Sequence, residues 1–426
     1  MKILLIGSGG REHALAWKIS QSPRVTKLYC APGNPGIAEL AECVSIAADN
    51  ISALKDFALQ NKIDLTVVGP EVPLTLGIVD EFEQAGLKIF GPSRAAAQLE
   101  GSKTFAKKIM KKYKIPTAAY EVFDDAQKAL EHVYMSRFPV VIKADGLAAG
   151  KGVTVAISLV EAKRAINAAL KDKVFGESGA KIIIEEFLAG EEASLLAFCD
   201  GKNFVPMVSA QDHKAVYDED KGPNTGGMGA YSPAPVVTET VLRQVKETIF
   251  RPMLDGLAKE GAPYKGVLYA GLMITESGEP KVVEFNCRFG DPETQAVLPR
   301  LQTDIVDIFE ACLDGKLAAQ NIEWSEAAAV CVVLAADGYP GQYAKGQEIS
   351  GLAAAAAWPD TCVFQAGTAK QDGKLVTSGG RVLGVTALGA DIKTAIKNAY
   401  KAADLISFSG LHKRKDIGKK ALAYLK

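Results

Sequence analysis

Short apolar segments alternate with helical patterns through the first hundred residues. Strands are predicted at 3–6, 27–30, 65–68 and 87–90, and helices at 11–20, 51–60 and 76–85. Because this rhythm is typical of βαβ units, it predicts a parallel sheet. Ligands of such sheets bind at the carboxyl ends of the strands. Those ends are rich in Gly and Pro here, at 7–11, 31–36 and 69–71.

The rest of the chain has a different rhythm, and its 426 residues suffice for about three domains. One helix is predicted from about 94 to 113, and mixed strands and helices follow. An apolar strand at 327–336 begins a Gly-rich α+β segment. The predicted division is 1–101, an N-terminal α/β substrate-binding domain, then 102–326, then 327–426, a small C-terminal α+β domain.

Composition excludes several classes of protein. Hydrophobic residues make up 48% of the chain and charged residues 23%, and the net charge is −1. That balance gives no electrostatic footprint for nucleic acid or an anionic membrane. Seven cysteines without a CxxC pair predict neither a disulfide framework nor a zinc site. No signal segment and no apolar run of ~20 residues is found, so we expect a cytoplasmic protein.

The first motif, Gly7-Ser-Gly-Gly-Arg-Glu-His13, follows a strand and begins a helix. Free N–H groups and the dipole at a helix start attract phosphate, and Arg11 would add a charge-assisted contact. The dinucleotide fingerprint is incomplete, because Glu12 replaces its third Gly and no acidic residue ends the next strand. Nicotinamide binding is therefore disfavoured. A phosphate site and a tight structural turn both stay open.

The second motif is the loop Lys143-Ala-Asp-Gly-Leu-Ala-Ala-Gly-Lys-Gly152. Lys143 ends a predicted strand, and the Gly-rich loop can close its N–H groups over an anion. It is not a Walker A loop, because only three residues separate its glycines and Gly152 follows the Lys. A flexible hairpin is the alternative. Two lysines around such a loop favour phosphate binding.

Two acidic motifs follow apolar strands. Glu185-Glu-Phe-Leu188 is consistent with a solvent-facing edge or with a hinge that binds adenine, and strand alternation turns only one Glu inward. Glu284, Asn286 and Arg288 have the i, i+2, i+4 spacing of one strand face. Carboxylate and amide oxygens suit magnesium, and Arg suits a carboxylate or phosphate. A solvated sheet face is the alternative.

A fifth motif combines Gln211-Asp-His-Lys214 with Asn224-Thr-Gly-Gly-Met-Gly229. Polar residues after a strand, followed by a Gly-rich loop, can surround a very small substrate. We interpret the single His213 as structural rather than catalytic. The glycines are also consistent with a simple turn.

Together these motifs resemble the ATP-grasp superfamily and, within it, the phosphoribosylamine–glycine ligase family. The matching segments follow family order along nearly the whole chain, at 7–17, 31–36, 143–152, 211–214, 224–229, 284–295 and 378–382. One departure is Cys287, where another small residue is common. The resemblance implies an ATP-grasp domain at 102–326 with a lid subdomain at about 115–190.

The same resemblance implies an activity. ATP, with magnesium or manganese, would phosphorylate glycine to glycyl phosphate, and the amine of 5-phosphoribosylamine would displace the phosphate. The product, glycinamide ribonucleotide, belongs to purine biosynthesis. The family implies small-molecule substrates, no nucleic acid, no membrane, and a monomer.

The resemblance also implies roles for individual residues. ATP would bind to Lys103, Lys143, Gly150, Lys151, Gly152, Glu185, Glu186, Phe187, Leu188 and Glu192. Glycine would bind to Asp212, Lys214, Gly227, Met228, Arg288 and Asp291. Phosphoribosylamine would bind to Gly9, Gly10, Arg11, Asn34 and Arg381. Glu284 and Asn286 would ligate the metal, and catalysis would depend on Arg288, Asp212 and Lys151.

Three alternatives stay open at this level: an ATP-grasp ligase for another carboxylate or bicarbonate, a nicotinamide-dependent oxidoreductase, and a nucleotide-binding regulator without catalysis. The Gly-Gly-Met-Gly loop and a small polar pocket favour glycine.

Overall fold

The computed structural model describes residues 1–148 and 152–425. Its first hundred residues form five parallel strands in the order β3-β2-β1-β4-β5. These elements are β1 Lys2–Gly7, α1 Gly10–Ile19, β2 Lys27–Pro32, β3 Glu42–Cys43, α2 Ile51–Asn61, β4 Leu65–Val68, α3 Glu71–Leu76, α4 Ile78–Gln84 and β5 Ile89–Phe90. The βαβ prediction is confirmed. The strand order reverses between β1 and β4, which is where such sheets bind ligands.

The single helix predicted at 94–113 is wrong, because the structure has two helices, α5 Arg94–Gly101 and α6 Lys103–Lys112. Ser102 between them is extended, with φ −141° and ψ 110°. Its hydroxyl accepts the N–H of Phe105 at 3.1 Å and donates to Asp145 at 3.1 Å. An N-cap residue must leave helical geometry to do this. The break places Lys103 in the first turn of α6.

A four-stranded antiparallel sheet with the order β6-β9-β7-β8 follows. Its elements are β6 Tyr120–Phe123, α7 Ala126–Tyr134, β7 Val140–Ala144, β8 Val153–Ala156, α8 Leu159–Leu170 and β9 Ile182–Glu186. Helices α7 and α8 cover one face of this sheet and bury a separate apolar core that includes Val133, Ile142 and Ile166. The predicted lid subdomain is therefore a small packed unit of its own.

A second antiparallel sheet follows, with the order β11-β10-β16-β17. Residues 191–313 contain β10 Glu191–Asp200, β11 Phe204–Pro206, β12 Gln211–Asp212, β13 Ala215–Tyr217, β14 Lys221–Asn224, β15 Gly229–Ser232, α9 Glu239–Val245, α10 Arg251–Lys259, β16 Lys265–Ile274, β17 Pro280–Asn286, α11 Glu293–Val297 and α12 Ile305–Leu313. A π-helical turn, Lys246–Phe250, joins α9 to α10.

The C-terminal segment adds a sheet that it shares with the middle of the chain. Its elements are β18 Ala328–Ala336, α13 Leu352–Ala356, β19 Thr361–Gln365, β20 Thr368–Gln371, β21 Lys374–Thr377, β22 Arg381–Gly389, α14 Ile392–Ala403, β23 Leu411–His412 and α15 Lys419–Leu422. The strand order is β12-β15-β18-β22-β19, and β23 pairs with β18. Strands β12 and β15 come from before the predicted boundary at 326, so this sheet crosses it.

Among the helices of residues 1–148 and 152–425, none is long and apolar enough to cross a membrane.

Candidate active site

Two lysines converge on one buried carboxylate where the two antiparallel sheets meet. The Nζ atoms of Lys143, in β7, and Lys107, in α6, lie 3.0 and 3.1 Å from the two oxygens of Glu185. All three side chains are at most 5% exposed. Lys143 also donates to the carbonyl of Val283 at 3.0 Å, which ties β7 to β17. Burial lowers the pKa of Lys107 to about 8, although Glu185 counteracts it.

Lys103 lies beside the Gly-rich loop of the second motif. Its Nζ donates to the carbonyl of Gly146 at 3.1 Å. Gly146 itself fits only without a side chain, because a Cβ there would lie 2.7–2.9 Å from atoms of Ser178. Gly152 closes the loop, since its carbonyl accepts the N–H of Ala144 at 2.8 Å. The predicted lid residues Gly150 and Lys151 lie outside the described residues.

The end of β9 has the geometry expected of a hinge. Glu185 is buried and Glu186 is exposed, which confirms that only one of the pair faces inward. The Glu186 carboxylate accepts the N–H of Ala119 at 3.0 Å. Phe187 follows with 44% of its surface exposed, and Leu188 is half-buried. An exposed aromatic ring beside buried charges is available to a planar ligand.

The acidic strand β17 departs from simple alternation. Its pairing with β16 shifts register between Gly271 and Leu272, so Val283 is an extra residue and both Val282 and Phe285 reach the core. The bulge turns Glu284 away from that core, as bulges commonly re-aim side chains. Beyond the bulge Glu284 and Asn286 flank the buried Phe285, as the predicted one-face row requires, but the prediction is wrong for Arg288, because β17 ends at Asn286.

Four cations surround Glu284. Burial alone would raise the pKa of its carboxyl, but Lys214, Lys143, Lys103 and Arg288 lower it to about 2. The Nζ of Lys214 lies 3.5 Å from Glu284 and 3.2 Å from Glu192. Glu284 is thus ionised at any working pH, and Glu192 belongs to the same cluster.

Arg288 is already engaged by protein groups. Its Nη2 donates to Glu100 at 2.7 Å, its Nε lies 3.3 Å from Glu71, and its Nη1 donates to the carbonyl of Phe289 at 3.2 Å. A carboxylate ligand that binds Arg288 must share it with these two acids.

Asp212 differs from the other acids of the site, because its carboxyl is available to a ligand. Among the described residues its carboxyl has no hydrogen-bond partner, and the ammonium of Lys214, two residues away, pairs with Glu192 and Glu284 instead. Burial raises the pKa of Asp212 to about 8; Lys214 opposes the rise, and Glu293 adds to it. Burial also acts on Lys214, but Glu192 and Glu284 raise its pKa well above the ordinary value. Asp212 and Lys214 therefore offer an unpaired carboxyl, which ionises above about pH 8, and a cation side by side.

The loop at 224–229 closes on the same region. A Cβ on Gly227 would lie 2.4 Å from Pro292, which explains why a glycine with φ 113° stands there. Met228 is fully buried against Val216 and packs in the core. Because this side chain packs in the core, the predicted contact of Met228 with glycine would fall to its backbone.

His213 is fully enclosed, and burial together with Arg414 and Lys420 lowers its pKa to about 4. It is neutral at physiological pH, as its structural interpretation requires.

Two backbone N–H groups at the start of α1 already donate to carboxylates of the protein. The Glu12 carboxylate accepts the N–H of Gly9 at 2.6 Å, and Asp291 accepts the N–H of Arg11 at 3.3 Å. Arg11 is 7% exposed and donates to Glu12 at 2.6 Å and to the carbonyl of Phe289 at 3.0 Å. The expectation of free N–H groups throughout this turn is wrong at these two positions.

Asn34 joins three parts of the chain. Its amide nitrogen donates to the carbonyls of Ser8 and Gln365 at 2.7 and 2.9 Å, and its oxygen accepts the N–H groups of Gly36 and Ile37. The hydrogen-bonding capacity of the Asn34 side chain is therefore used within the protein, where it holds the loop in place.

Four of the predicted phosphoribosylamine residues, Gly9, Gly10, Arg11 and Arg381, nevertheless lie around Asp291 and its partner Gln295. Arg381 Nη1 lies 3.3 Å from the Asp291 carboxylate and donates to the carbonyl of Gly226 at 2.6 Å. A Cβ on Gly9 would lie 3.5 Å from Asp291, and one on Gly10 would lie 2.7 Å from Gln295. Burial would raise the pKa of Asp291, but Arg381 and Arg11 lower it. Residues from all three predicted domains meet here.

Sequence reasoning missed several members of the site. Buried Glu293 accepts hydrogen bonds from Tyr269 at 2.6 Å and Ser194 at 3.0 Å. Glu100 and Lys107 were missed as well, although each is a buried charge within an otherwise apolar helix face. A charged residue at an apolar helical position was the available signal.

Two antiparallel sheets that hold lysines on one side and an acidic strand on the other define an ATP-grasp protein. The sequence agrees in three consecutive parts: residues 1–100 match Phosphoribosylglycinamide synthetase, N domain; residues 101–294 match its ATP-grasp (A) domain; and residues 329–420 match its C domain. The chain belongs to the phosphoribosylglycinamide synthetase family, which confirms the resemblance and the fold class.

Similar proteins cover the full length. A phosphoribosylamine–glycine ligase of Caldanaerobacter subterraneus subsp. tengcongensis is 56% identical and spans 98% of this chain and 99% of its own. The crystal structure of phosphoribosylamine–glycine ligase from Thermotoga maritima is 35% identical, with TM-score 0.85, over 98% of this chain and 100% of that chain. The biotin carboxylase domain of Hydrogenobacter thermophilus 2-oxoglutarate carboxylase, in complex with MgADP, shares the fold at 15% identity and TM-score 0.74, over 97% and 91%.

Proposed function

We propose that this chain is an ATP-dependent ligase that joins glycine to 5-phosphoribosylamine. A glycine carboxylate oxygen attacks the γ-phosphorus of ATP, the bond to the β-phosphate oxygen breaks, and ADP leaves. The amine of phosphoribosylamine then attacks the acyl carbon of glycyl phosphate. Phosphate leaves, one proton is released, and the amide of glycinamide ribonucleotide forms.

The observation that supports the proposal is the group of cations at Glu284: the Nζ of Lys214 lies 3.5 Å from its carboxylate, and the Nζ of Lys143 donates to the carbonyl of the preceding Val283 at 3.0 Å. Lys103, Lys143, Lys214 and Arg288 all stabilise its ionised form. Phosphoryl transfer demands positioning and charge neutralisation rather than a protein nucleophile. A cluster of lysines beside a fixed carboxylate supplies both.

ATP is proposed to lie between the two antiparallel sheets. Lys103 and Lys143 would face the phosphates, with Gly150, Lys151 and Gly152 closing over them. Glu185 to Leu188 would meet adenine, and Glu192 the ribose. The exposed ring of Phe187 and the burial of Glu185 support this orientation. Exclusion of water would protect the acyl phosphate from hydrolysis.

Magnesium or manganese is proposed to bind at Glu284 and Asn286. In the described part of the chain no group of three His, Cys, Asp or Glu side chains could hold a metal ion. Two oxygen donors fit an ion that takes its remaining ligands from phosphate oxygens and water. When bound, the ion neutralises phosphate charge. The low pKa of Glu284 keeps that donor ionised.

Glycine is proposed to bind beside Asp212 and Lys214, near Gly227 and the backbone of Met228. Its ammonium would meet Asp212, whose carboxyl is open, and its carboxylate would lie toward Lys214 and Arg288. Asp291 is fully engaged by Arg381 and Gln295 and would act on glycine mainly through Arg381.

Phosphoribosylamine is proposed to bind where Gly9, Gly10 and Arg381 meet. Arg11 and Asn34 hold the surrounding loops through bonds already described. Catalysis would depend on Arg288, Asp212 and Lys151. The division at 101 and 326, a cytoplasmic location, a monomeric state and the absence of nucleic-acid partners are proposals as well.

The test is phosphate release from ATP by the purified protein. We expect release that requires both glycine and phosphoribosylamine, with glycinamide ribonucleotide as product by mass spectrometry. Release supported equally by bicarbonate or another amino acid would contradict the substrate assignment. ATP binding without any release would indicate a regulator instead.

A further inference from the structure

The C-terminal segment 411–420 is hydrogen-bonded to the hairpin formed by β13 and β14. Arg414 is 1% exposed and donates from Nη1 to the carbonyl of Ala215 at 3.0 Å and to Asp220 at 2.9 Å. Its Nε and Nη2 donate to the two oxygens of Asp416 at 2.7 and 2.8 Å. Asp416 also accepts the N–H of Glu219 at 2.8 Å. One buried guanidinium therefore organises the first strand of the hairpin and its turn.

Residues near Arg414 add further hydrogen bonds between this segment and the hairpin. The N–H of Lys415 donates to Asp218 at 2.7 Å, and the His412 ring nitrogen bonds to the carbonyl of Val216 at 2.8 Å. The hydroxyl of Tyr400, in α14, donates to the carbonyl of Arg414 at 2.9 Å. Because β23 pairs with β18, segment 411–420 is attached to the C-terminal sheet as well as to α14.

The hairpin begins at the residue after Lys214. Arg414 holds the carbonyl of Ala215, and Thr225 holds the carbonyl of Lys214 through its N–H at 2.7 Å and its hydroxyl at 2.8 Å. The backbone of Lys214 is therefore fixed from both sides. Its side chain carries the ammonium that lies between Glu192 and Glu284.

We propose that Arg414 is a positioning residue for the ligation, acting through the β13–β14 hairpin to hold Lys214 between Glu192 and Glu284. The inference rests on the proposed function. Arg414 is buried behind the hairpin and touches no substrate. The C-terminal domain thereby completes the glycine side of the site, in addition to contributing Arg381.

A double-mutant cycle tests this inference. Arg414→Lys keeps the buried charge but cannot bond both Asp416 oxygens and Ala215 together. We expect kcat/KM for glycine to fall about tenfold or more, and KM for ATP, whose proposed ligand Glu192 also contacts Lys214, to rise by a smaller factor. In a Lys214→Met background, Arg414→Lys should change glycine turnover by less than about twofold, because the group that it positions is gone.

Lys413→Ala is the matched control. It lies on the same segment, but its ammonium pairs with Asp404 rather than with the hairpin. We expect parental kinetics from it. Losses that multiply in the double variant, or equal losses for glycine and ATP, would overturn the inference. If Arg414→Lys unfolds, Asp416→Asn takes its place in the cycle, and unfolding of both would assign Arg414 to stability alone.

The parental protein separates the two claims. If it releases no phosphate with glycine and phosphoribosylamine together, the proposed function fails and the inference with it. If it turns over normally while the cycle is multiplicative, only the role of Arg414 fails.

Discussion

Lys107 and Glu185 form a buried ion pair, with Nζ 3.1 Å from Oε1 and side-chain exposures of 3% and 4%. Because Lys143 shares the same carboxylate, we expect Lys107→Met to let Glu185 shift toward Lys143 and disturb the hinge. KM for ATP should rise roughly tenfold, equivalent to about 1.4 kcal/mol. Steady-state kinetics measure this, and Lys108→Met, exposed on the same helix, is the control. Equal KM values in the two variants would place the pair outside the nucleotide site.

Glu284→Ala should abolish turnover and leave the fold intact, because the variant loses a metal donor that projects from a bulge rather than a core side chain. Manganese binding by electron paramagnetic resonance should weaken by at least about 1.4 kcal/mol, a tenfold rise in Kd. Glu276→Ala, in the exposed turn before β17, should behave as the parent. Normal activity of Glu284→Ala at low magnesium would refute the metal assignment.

Arg288→Lys should raise KM for glycine and also lower stability. A lysine cannot hold Glu100, Glu71 and a substrate carboxylate in one plane. We expect a loss of about 1–3 kcal/mol in the free energy of unfolding, typical of a buried polar group left unpaired. Urea unfolding measures the stability and glycine titration the KM. A stability loss with an unchanged glycine KM would make Arg288 purely structural.

The pKa of Asp212 predicts a pH dependence. Burial and nearby acids raise it to about 8, so below that pH the carboxyl is mostly protonated. Since glycine's ammonium requires the carboxylate, KM for glycine should fall as pH rises from 6 to 8, by up to roughly tenfold per unit. Asp212→Asn should bind glycine weakly and show a flat profile over the same range. A parental KM that is independent of pH would remove Asp212 from the ammonium site.

The sequence predicted local features well. The βαβ rhythm, the strand at 65–68 and the inward turn of only one residue in Glu185-Glu186 follow from periodicity within a few residues. The break at Ser102 was missed because its cause, Asp145, lies 43 residues away. Distance along the chain also hid partners of Arg288 and Arg11: Glu100 is 188 residues from Arg288, and Phe289, whose carbonyl accepts from the Arg11 guanidinium, is 278 residues from Arg11. The sequence identified the arginines as candidate ligands, but it did not show that other protein groups already accept their hydrogen bonds.

The sheet shared between β15 and β18 has a consequence for how this enzyme can be divided. A gene ended after Ala327 would encode a chain in which Gly229–Ser232 becomes a bare sheet edge, open to pairing with other molecules. We expect such a product to self-associate through this edge rather than to work as a smaller enzyme. A shortened or exchanged C-terminal segment would therefore require a redesign of β15, the strand that β18 covers.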